Sequence, residues 1–201
     1  MSGIKQAAAW SVILQAALEH TVSSCQKNWC IPELVSFATH DTTDEISDQK
    51  VGMKVTGITP YWIDRYTATE NDFDLHGLFL LTAPNMSGKS TLMRSILVAA
   101  LLANCGFFVP CRTAQIPRYD NFFLRTSSHD VPSEGKSAFA LEMQDMQIVL
   151  LDSTHKSLIM IDELGTSRGT ITMLCCAKLC NVILRYIMLC YAITLCSATW
   201  Q

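Results

Sequence analysis

Charged residues are scarce in this chain of 201 amino acids: they make up 16% of it, whereas hydrophobic residues make up 49%. Such a composition can bury a core, which excludes a disordered protein, a collagen-like repeat and a solvating tail. A surplus of positive charge is also lacking, since the formal net charge is −3 and the pI is near 5.9. Unaided binding to nucleic acid needs a concentrated Lys/Arg surface, so any contact with DNA must be made elsewhere.

No amino-terminal basic segment leads into an apolar run and a small-residue cleavage site, so we expect no secretory leader. Nine cysteines fall short of the density of a disulfide-stapled miniprotein, and we expect reduced thiols and an intracellular protein. The length corresponds to one domain, or to one domain and part of another.

The first thirty residues carry a face with three- and four-residue spacing, which predicts an amphipathic helix. This face consists of Ala7, Trp10, Leu14, Ala17, Leu18, Thr21 and Cys25. No cap precedes it, so we expect residues 1–38 to be the end of a longer helical segment of a parent protein. Residues 39–50 are polar, acidic and without periodicity, and we assign 39–54 to a linker or loop.

From residue 55 onward, short apolar runs alternate with helical stretches, which predicts an α/β fold whose sheet is covered by helices. The predicted segments are 78–82, 90–105, 121–125, 138–152 and 157–161. The tail, residues 171–201, holds five of the nine cysteines, no acidic residue, and a final uncharged run of sixteen residues. A membrane span needs roughly 20 apolar residues. Three interpretations stay open: a membrane helix, a buried helix of the domain, and a spurious carboxyl terminus, such as a misread splice junction.

The apolar run 78–82 leads into the pattern A-x-x-x-x-G-K-S, which is typical of a phosphate-binding loop. Backbone N–H groups of such a loop and of the following helical turn point at phosphate oxygens. Lys89 would bridge the β- and γ-phosphates, Ser90 would ligate Mg²⁺, and Gly88 would let the backbone approach without a Cβ collision. The predicted nucleotide-binding residues are Ala83, Pro84, Asn85, Met86, Ser87, Gly88, Lys89, Ser90 and Thr91. The alternative is a glycine-containing turn at a helix start.

A pair of acidic residues, Asp162 and Glu163, follows the apolar run 158–161. Asp162 would hold Mg²⁺ through water, and Glu163 would orient and deprotonate an attacking water. A capping acid at a strand-to-helix turn is the alternative for either residue alone. Because a small-molecule kinase has no general need for a glutamate beside the metal-binding aspartate, the pair favours an ATPase.

These residues resemble the carboxyl-proximal ATPase domain of the MutS family of DNA mismatch-repair proteins. The resemblance covers about residues 29–170 and rests on the strings at 71–72, 80–94, 106–110, 135–143 and 162–165. It is closest to the organellar MutS homologues of plants and algae. It implies a P-loop NTPase of the ABC-ATPase type, with a sheet flanked by helices and preceded by the end of a helical lever or clamp segment.

The family further implies ATP and Mg²⁺ as cofactors, ATP or ADP as ligands, and a second MutS-type subunit as partner. Mismatched double-stranded DNA would be bound by parts of the parent outside this chain, in a nucleus or an organelle, and no membrane is expected. The resemblance assigns Ser137 as the signature serine that reaches the γ-phosphate in the opposite subunit. From the residues alone, the expectation for Ser137 is that it caps the helix predicted at 138–152. The predicted catalytic residues are thus Glu163, Lys89 and Ser137, and the predicted metal ligands are Ser90 and Asp162.

Several departures from the family pattern favour an alternative function, that of a non-catalytic fragment. The string at 165–170 carries a two-residue insertion, and after Thr170 we expect the resemblance to end, with loss of the Thr-His switch and the dimerisation helices. Residues 55–170 would then be an incomplete ATPase domain. Thr69 and Glu70 stand where an aromatic-apolar pair would stack on adenine. The alternative is a non-catalytic fragment that binds nucleotide or a MutS partner. The missing Leu-Ser-Gly-Gly-Gln signature argues against a third function, that of an ABC transporter ATPase. We interpret His129 and His155 as surface residues.

Overall fold

The computed structural model describes residues 2–37, 51–64, 66–84, 86–126, 138–164 and 171–176. This part of the chain is mixed α/β. Its helices are α1 (Ser2–Gln26), α2 (Lys89–Asn104) and α3 (Ala138–Asp152). Its strands are β1 (Glu33–Val35), β2 (Met53–Ile58), β3 (Asn71–Leu75), β4 (Leu78–Leu81), β5 (Thr113–Pro117), β6 (Asn121–Arg125), β7 (Ser157–Leu164) and β8 (Ile171–Cys176). The described residues group into two compact units.

The first unit takes its residues from the chain up to 36, from 53–74 and from 94–118. Its sheet has the strand order β1-β5-β2-β3, with β1 parallel and β2 antiparallel to β5. Alternating side chains of β2 are buried, as expected for a strand with one face on a core. The buried apolar residues of this unit include Trp29, Met53, Val55, Ile58, Ile96, Ala99, Ala100, Ala103, Val109, Cys111 and Ile116.

Helix α1 confirms the predicted helix, but the predicted apolar face is not buried. Trp10, Leu14 and Leu18 are 59%, 66% and 65% exposed. Residues 3–16 are all exposed, and burial begins only near the end of the helix, at His20 and Ser24. A helix with apolar side chains on several sides normally lies inside a protein, so the described part of the chain does not supply what α1 packs against.

The second unit contains the described residues of 37–52, residues 75–93 and the described residues from 119 onward. Its sheet has the order β4-β8-β7-β6. Strand β8 is antiparallel to both β4 and β7, and β6 is parallel to β7, so β4, β6 and β7 run in one direction. Helix α3 packs on this sheet through a cluster of Met146, Val149, Ile159 and Ile161, joined by Leu78, Phe123 and Leu150.

Several predicted boundaries differ from those observed. Helix α3 and strand β6 begin and end as predicted, whereas α2 begins one residue early, at Lys89, and β7 continues through the acidic pair to Leu164. Strand β2 begins at Met53, inside the stretch predicted as linker. Residues 171–176 form β8, so both helical interpretations of the tail are wrong for this segment. Residues 177–201 lie outside the described part. Among the described helices, none combines the length and the apolar character required to cross a bilayer.

Candidate functional site

The carboxyl ends of β4, β6 and β7 lie at the same edge of the second unit's sheet, because the three strands run in the same direction. The loop 82–88 leaves β4 at this edge, and the acidic pair lies at the end of β7. Only β8 separates β4 from β7, and neighbouring strands are about 4.8 Å apart, so the two strands are about 10 Å apart at this edge. The topology thus brings both predicted halves of the site together.

An irregularity in β7 contains the two acidic residues. Ile161 pairs with Met173, but the next register pair is Leu164 with Ile171. Two residues of β7, Asp162 and Glu163, therefore stand opposite a single residue of β8, which is the arrangement of a β-bulge. Bulges bend a strand and redirect its side chains, and they are frequent beside active sites.

Asp162 is buried, with 7% of its surface exposed. Position 163 is described as part of β7, but its side chain is not, and Asn85 and Ser137 lie outside the described residues. The structure therefore places the backbone of the acidic pair at the sheet edge. It leaves the expected roles of Asn85, Ser137 and Glu163 as predictions.

The loop is closed by its own lysine. The Nζ atom of Lys89 donates a hydrogen bond of 2.7 Å to the carbonyl oxygen of Ala83. Within the loop, the N–H of Ser87 donates to the carbonyl oxygen of Pro84 at 3.3 Å. The residues with the phosphate-loop pattern thus form a compact turn between β4 and α2.

Two residues of this turn adopt positive φ angles: Met86 at 63° and Gly88 at 94°. A Cβ atom at Gly88 would meet no other atom within 4 Å. The glycine is required here by its left-handed backbone, and the close approach of this backbone to a phosphate stays a prediction. Ala83 stands where phosphate-binding loops more commonly have glycine, and it is not among the described non-glycine residues with positive φ, so its backbone conformation suits alanine.

Helix α2 begins at Lys89, and its first turn contains no acidic residue. The first hydrogen bond into the helix runs from the N–H of Leu92 to the carbonyl oxygen of Gly88, at 2.9 Å. The leading N–H groups of a helix have no partner within it, and the helix dipole places positive charge at this end. Ser90 and Thr91 are half-buried in this turn. The arrangement suits an anion such as a phosphate group.

Arg125 is a candidate site residue that the sequence reasoning missed. It ends β6 and pairs in register with Ile161, at the same sheet edge. Its side chain is buried, and its Nε atom lies 3.6 Å from Oδ2 of Asp145 on α3. The sequence did contain a signal for Arg125. This arginine directly follows the apolar run 122–124, just as the acidic pair directly follows the apolar run 158–161.

A shallow groove of about 390 Å³ lies beside Arg125, between β6 and α3. It is lined by Phe122, Phe123, Leu124, Arg125, Thr126, Asp145, Ile148 and Val149. None of these residues belongs to the loop 82–88 or to the start of α2, so the groove is separate from the predicted phosphate site. Across the described chain, no group of three or more His, Cys, Asp or Glu side chains could hold a metal ion.

Two further sequence interpretations can be compared with the structure. His155 is exposed, as expected for a surface residue, whereas His129 lies outside the described part. Glu70, at one of the positions where an adenine-stacking pair was expected, forms an ion pair of 2.5 Å with Arg112.

Residues 79–200 match the family model described as MutS domain V. The resemblance was expected to end at Thr170, but the matched segment continues through most of the tail. The mitochondrial DNA mismatch repair protein MSH1 of Arabidopsis thaliana is 41% identical over 163 residues, which cover 80% of this chain and 14% of that protein.

Bacterial proteins named DNA mismatch repair protein MutS are also similar. That of Thermus thermophilus is 43% identical over 110 residues, covering 54% of this chain and 13% of the relative. That of Thermotoga neapolitana is 38% identical over 123 residues, covering 59% of this chain and 15% of the relative. The chain thus spans about a seventh of the length of these relatives. Because the family model matches well over half of the chain, the chain belongs to the MutS family of DNA mismatch-repair proteins.

Proposed function

We propose that this chain is the ATP-binding segment of a MutS-type mismatch-repair protein, with the fold of a P-loop NTPase of the ABC-ATPase type. The observation that carries the proposal is the sheet edge of the second unit. A lysine-closed loop and a helix start with no acidic residue in its first turn lie there, and the bulged strand at the same edge carries two acidic residues. Each feature alone has an ordinary structural explanation, but their presence together at one edge of the sheet fits the binding of a Mg-nucleotide.

Lys89 supplies the charge for the β- and γ-phosphates. In the structure its ammonium is bonded to the neutral carbonyl of Ala83. A phosphate oxygen is a stronger acceptor for this ammonium, because its negative charge adds Coulomb attraction to the hydrogen bond. Nucleotide binding would therefore exchange this carbonyl for phosphate, while the N–H groups of residues 86–91 bind the remaining oxygens.

The oxygen atoms of Ser90 and Asp162 fit a magnesium ion. Mg²⁺ prefers hard oxygen ligands and is usually held by one or two protein groups together with waters and substrate phosphates. Asp162 is a buried carboxylate at the end of β7, and Ser90 is a hydroxyl in the first turn of α2. When bound, the ion would neutralise charge on the phosphates.

Glu163 would act as the general base, taking a proton from the attacking water on its carboxylate. Its position next to Asp162 in the bulge is what such a role needs. Ser137 would complete the site of a second MutS-type subunit. The hydrolytic function is proposed for the parent dimer.

The parent protein would use this ATPase in DNA mismatch repair, with mismatched duplex bound by parts outside this chain. The names of the relatives support this role. One of them is named as mitochondrial, which favours an organelle as the compartment.

A second candidate function is nucleotide binding without turnover. The tail 171–201 contains no histidine that could serve as the family's switch, which favours this candidate for the isolated chain. Phosphate release by a purified, folded dimer separates the two, because a non-catalytic segment binds ATP and releases none.

A fluorescent ATP analogue tests the proposal in the presence of Mg²⁺. We expect Lys89→Ala to lower affinity by at least about tenfold, since the ammonium contact with phosphate is charge-assisted. Lys5→Ala is the matched control, because Lys5 is an exposed lysine on α1. Unchanged affinity in Lys89→Ala would overturn the proposal.

A further inference from the structure

Two cysteines from distant parts of the sequence contact each other in the first unit. The Sγ atoms of Cys30 and Cys111 are 3.3 Å apart, although the residues are 81 positions apart. The backbone fixes this contact, because Cys30 and Val109 exchange two hydrogen bonds, of 3.2 and 2.9 Å. The N–H of Cys111 donates to the carbonyl oxygen of Val109 at 2.8 Å. The two thiols are therefore held together by main-chain pairing.

The two thiols differ in access to solvent. Cys111 is only 1% exposed, whereas Cys30 is partly exposed. A small oxidant in solution therefore meets Cys30 first, and Cys111 is already in contact behind it. Cys25 and Cys105 are more exposed, but neither contacts another thiol among the described side chains.

The contact also changes the chemistry of the outer thiol. The hydrogen bond between the two thiols lowers the pKa of Cys30, against the opposing effect of burial. The thiolate is the nucleophilic form of cysteine, so this hydrogen bond favours reaction at Cys30. Cys30 combines access and activation, and Cys111 supplies a neighbouring thiol that can resolve an oxidised sulfur.

We propose that Cys30 and Cys111 form a reversible dithiol that a peroxide oxidises to a disulfide. The Cys30 thiolate attacks one peroxide oxygen and the O–O bond breaks, which gives a sulfenic acid at Cys30 and a hydroxide ion. The sulfur of Cys111 then attacks the sulfur of Cys30 and the S–O bond breaks. The thiol proton leaves with the hydroxyl group as water. The two sulfurs lose two electrons in total, and the peroxide gains them. A thiol reductant restores the pair by disulfide exchange.

The test treats the reduced full chain with hydrogen peroxide, blocks the remaining thiols, and maps non-reduced tryptic peptides by mass spectrometry. Cys30 falls in peptide 28–50 as its only cysteine, whereas Cys111 shares peptide 95–112 with Cys105. We expect a disulfide to link these two peptides, and we expect dithiothreitol to reduce it. The disulfide between the two peptides should persist in Cys105→Ser and disappear in Cys111→Ser. A disulfide that survives Cys111→Ser, or that is lost in Cys105→Ser, would overturn the assignment.

A second readout uses the unmodified sequence and so does not depend on the folding of a variant. Cys25 is the only cysteine of peptide 6–27 and serves as an internal reference. We expect the Cys30–Cys111 disulfide to form at least about ten times faster than any disulfide to Cys25, because the sulfurs of Cys30 and Cys111 are already in contact. Equal rates of formation for the two kinds of disulfide, or no Cys30–Cys111 disulfide at all, would mean that the two thiols are only packed as small apolar side chains. The proposal would then be wrong.

Discussion

The Lys89 ammonium donates a 2.7 Å hydrogen bond to the carbonyl oxygen of Ala83, so the first residue of α2 closes the loop that precedes it. This bond joins the two ends of the phosphate-loop pattern. It also holds the lysine side chain against the first residue of the loop pattern. The proposed nucleotide site depends on this ammonium, which would exchange the carbonyl oxygen for a phosphate oxygen when a nucleotide binds.

The backbone at Gly88 gives the first prediction. Gly88→Ala places a Cβ on a residue with a φ of 94°, which costs about 1–3 kcal/mol when the conformation is kept. We expect the loop to shift and the affinity for Mg-ATP to fall in a fluorescence titration. Gly77→Ala is the matched control, because Gly77 also has a positive φ, of 62°, and open space around its Cβ position. If both variants keep full affinity, the loop conformation does not matter for binding.

The acidic pair gives the second prediction. In a dimeric parent context that hydrolyses ATP, Glu163→Gln should leave Mg-ATP binding nearly intact. It should slow hydrolysis by about 10²–10⁴-fold, the usual contribution of a general base. Binding titrations and phosphate release measure the two effects separately, with Glu19→Gln on the exposed part of α1 as the control. Equal losses of binding and turnover would instead assign Glu163 a structural role.

A buried histidine gives the third prediction. The Nε2 atom of His20 lies 3.2 Å from the carbonyl oxygen of Phe108, and Nδ1 lies 3.4 Å from the hydroxyl of Tyr61. The ring also packs against Phe107, with centroids 4.9 Å apart. Burial lowers the pKa of His20, partly opposed by the hydrogen bond to Phe108.

The lowered pKa means that folding favours neutral His20, while the unfolded chain takes up a proton below about pH 6.5. This contribution to stability is complete above that pH and is lost as the pH falls through the folded-state pKa. Denaturant titrations at several pH values should show a smaller loss of stability on acidification in His20→Gln than in the unchanged chain. The exposed His155→Gln is the control. Identical pH profiles for His20→Gln and the unchanged chain would contradict this account.

The local parts of the second unit could be predicted from the sequence. Apolar periodicity gave α3 and β6 with their observed boundaries, because the buried face of α3 packs on apolar strands. The loop before Lys89 and the acidic pair at Asp162 were found from short patterns whose residue types reflect local chemistry. These features depend on neighbours in sequence.

Pairing between distant segments could not be predicted in the same way. Strand β8 lies between β4 and β7, a position set by competition for backbone partners. Arg125 was missed because its register pairing with Ile161, the residue before Asp162, exists only once β6 and β7 are parallel neighbours. The contact of Cys30 with Cys111 likewise depends on the bridge between Cys30 and Val109.

Hydrogen–deuterium exchange with and without Mg-ATP tests the central claim most directly, because it reports on the backbone N–H groups assigned to the phosphates. We predict that saturating Mg-ATP protects the amides of residues 85–93, and that exchange in β2 and β5 does not change. Lys89→Ala should lose the protection at the same nucleotide concentration. Nucleotide binding that leaves 85–93 unprotected, or protects only residues outside this segment, would contradict the assignment of the loop.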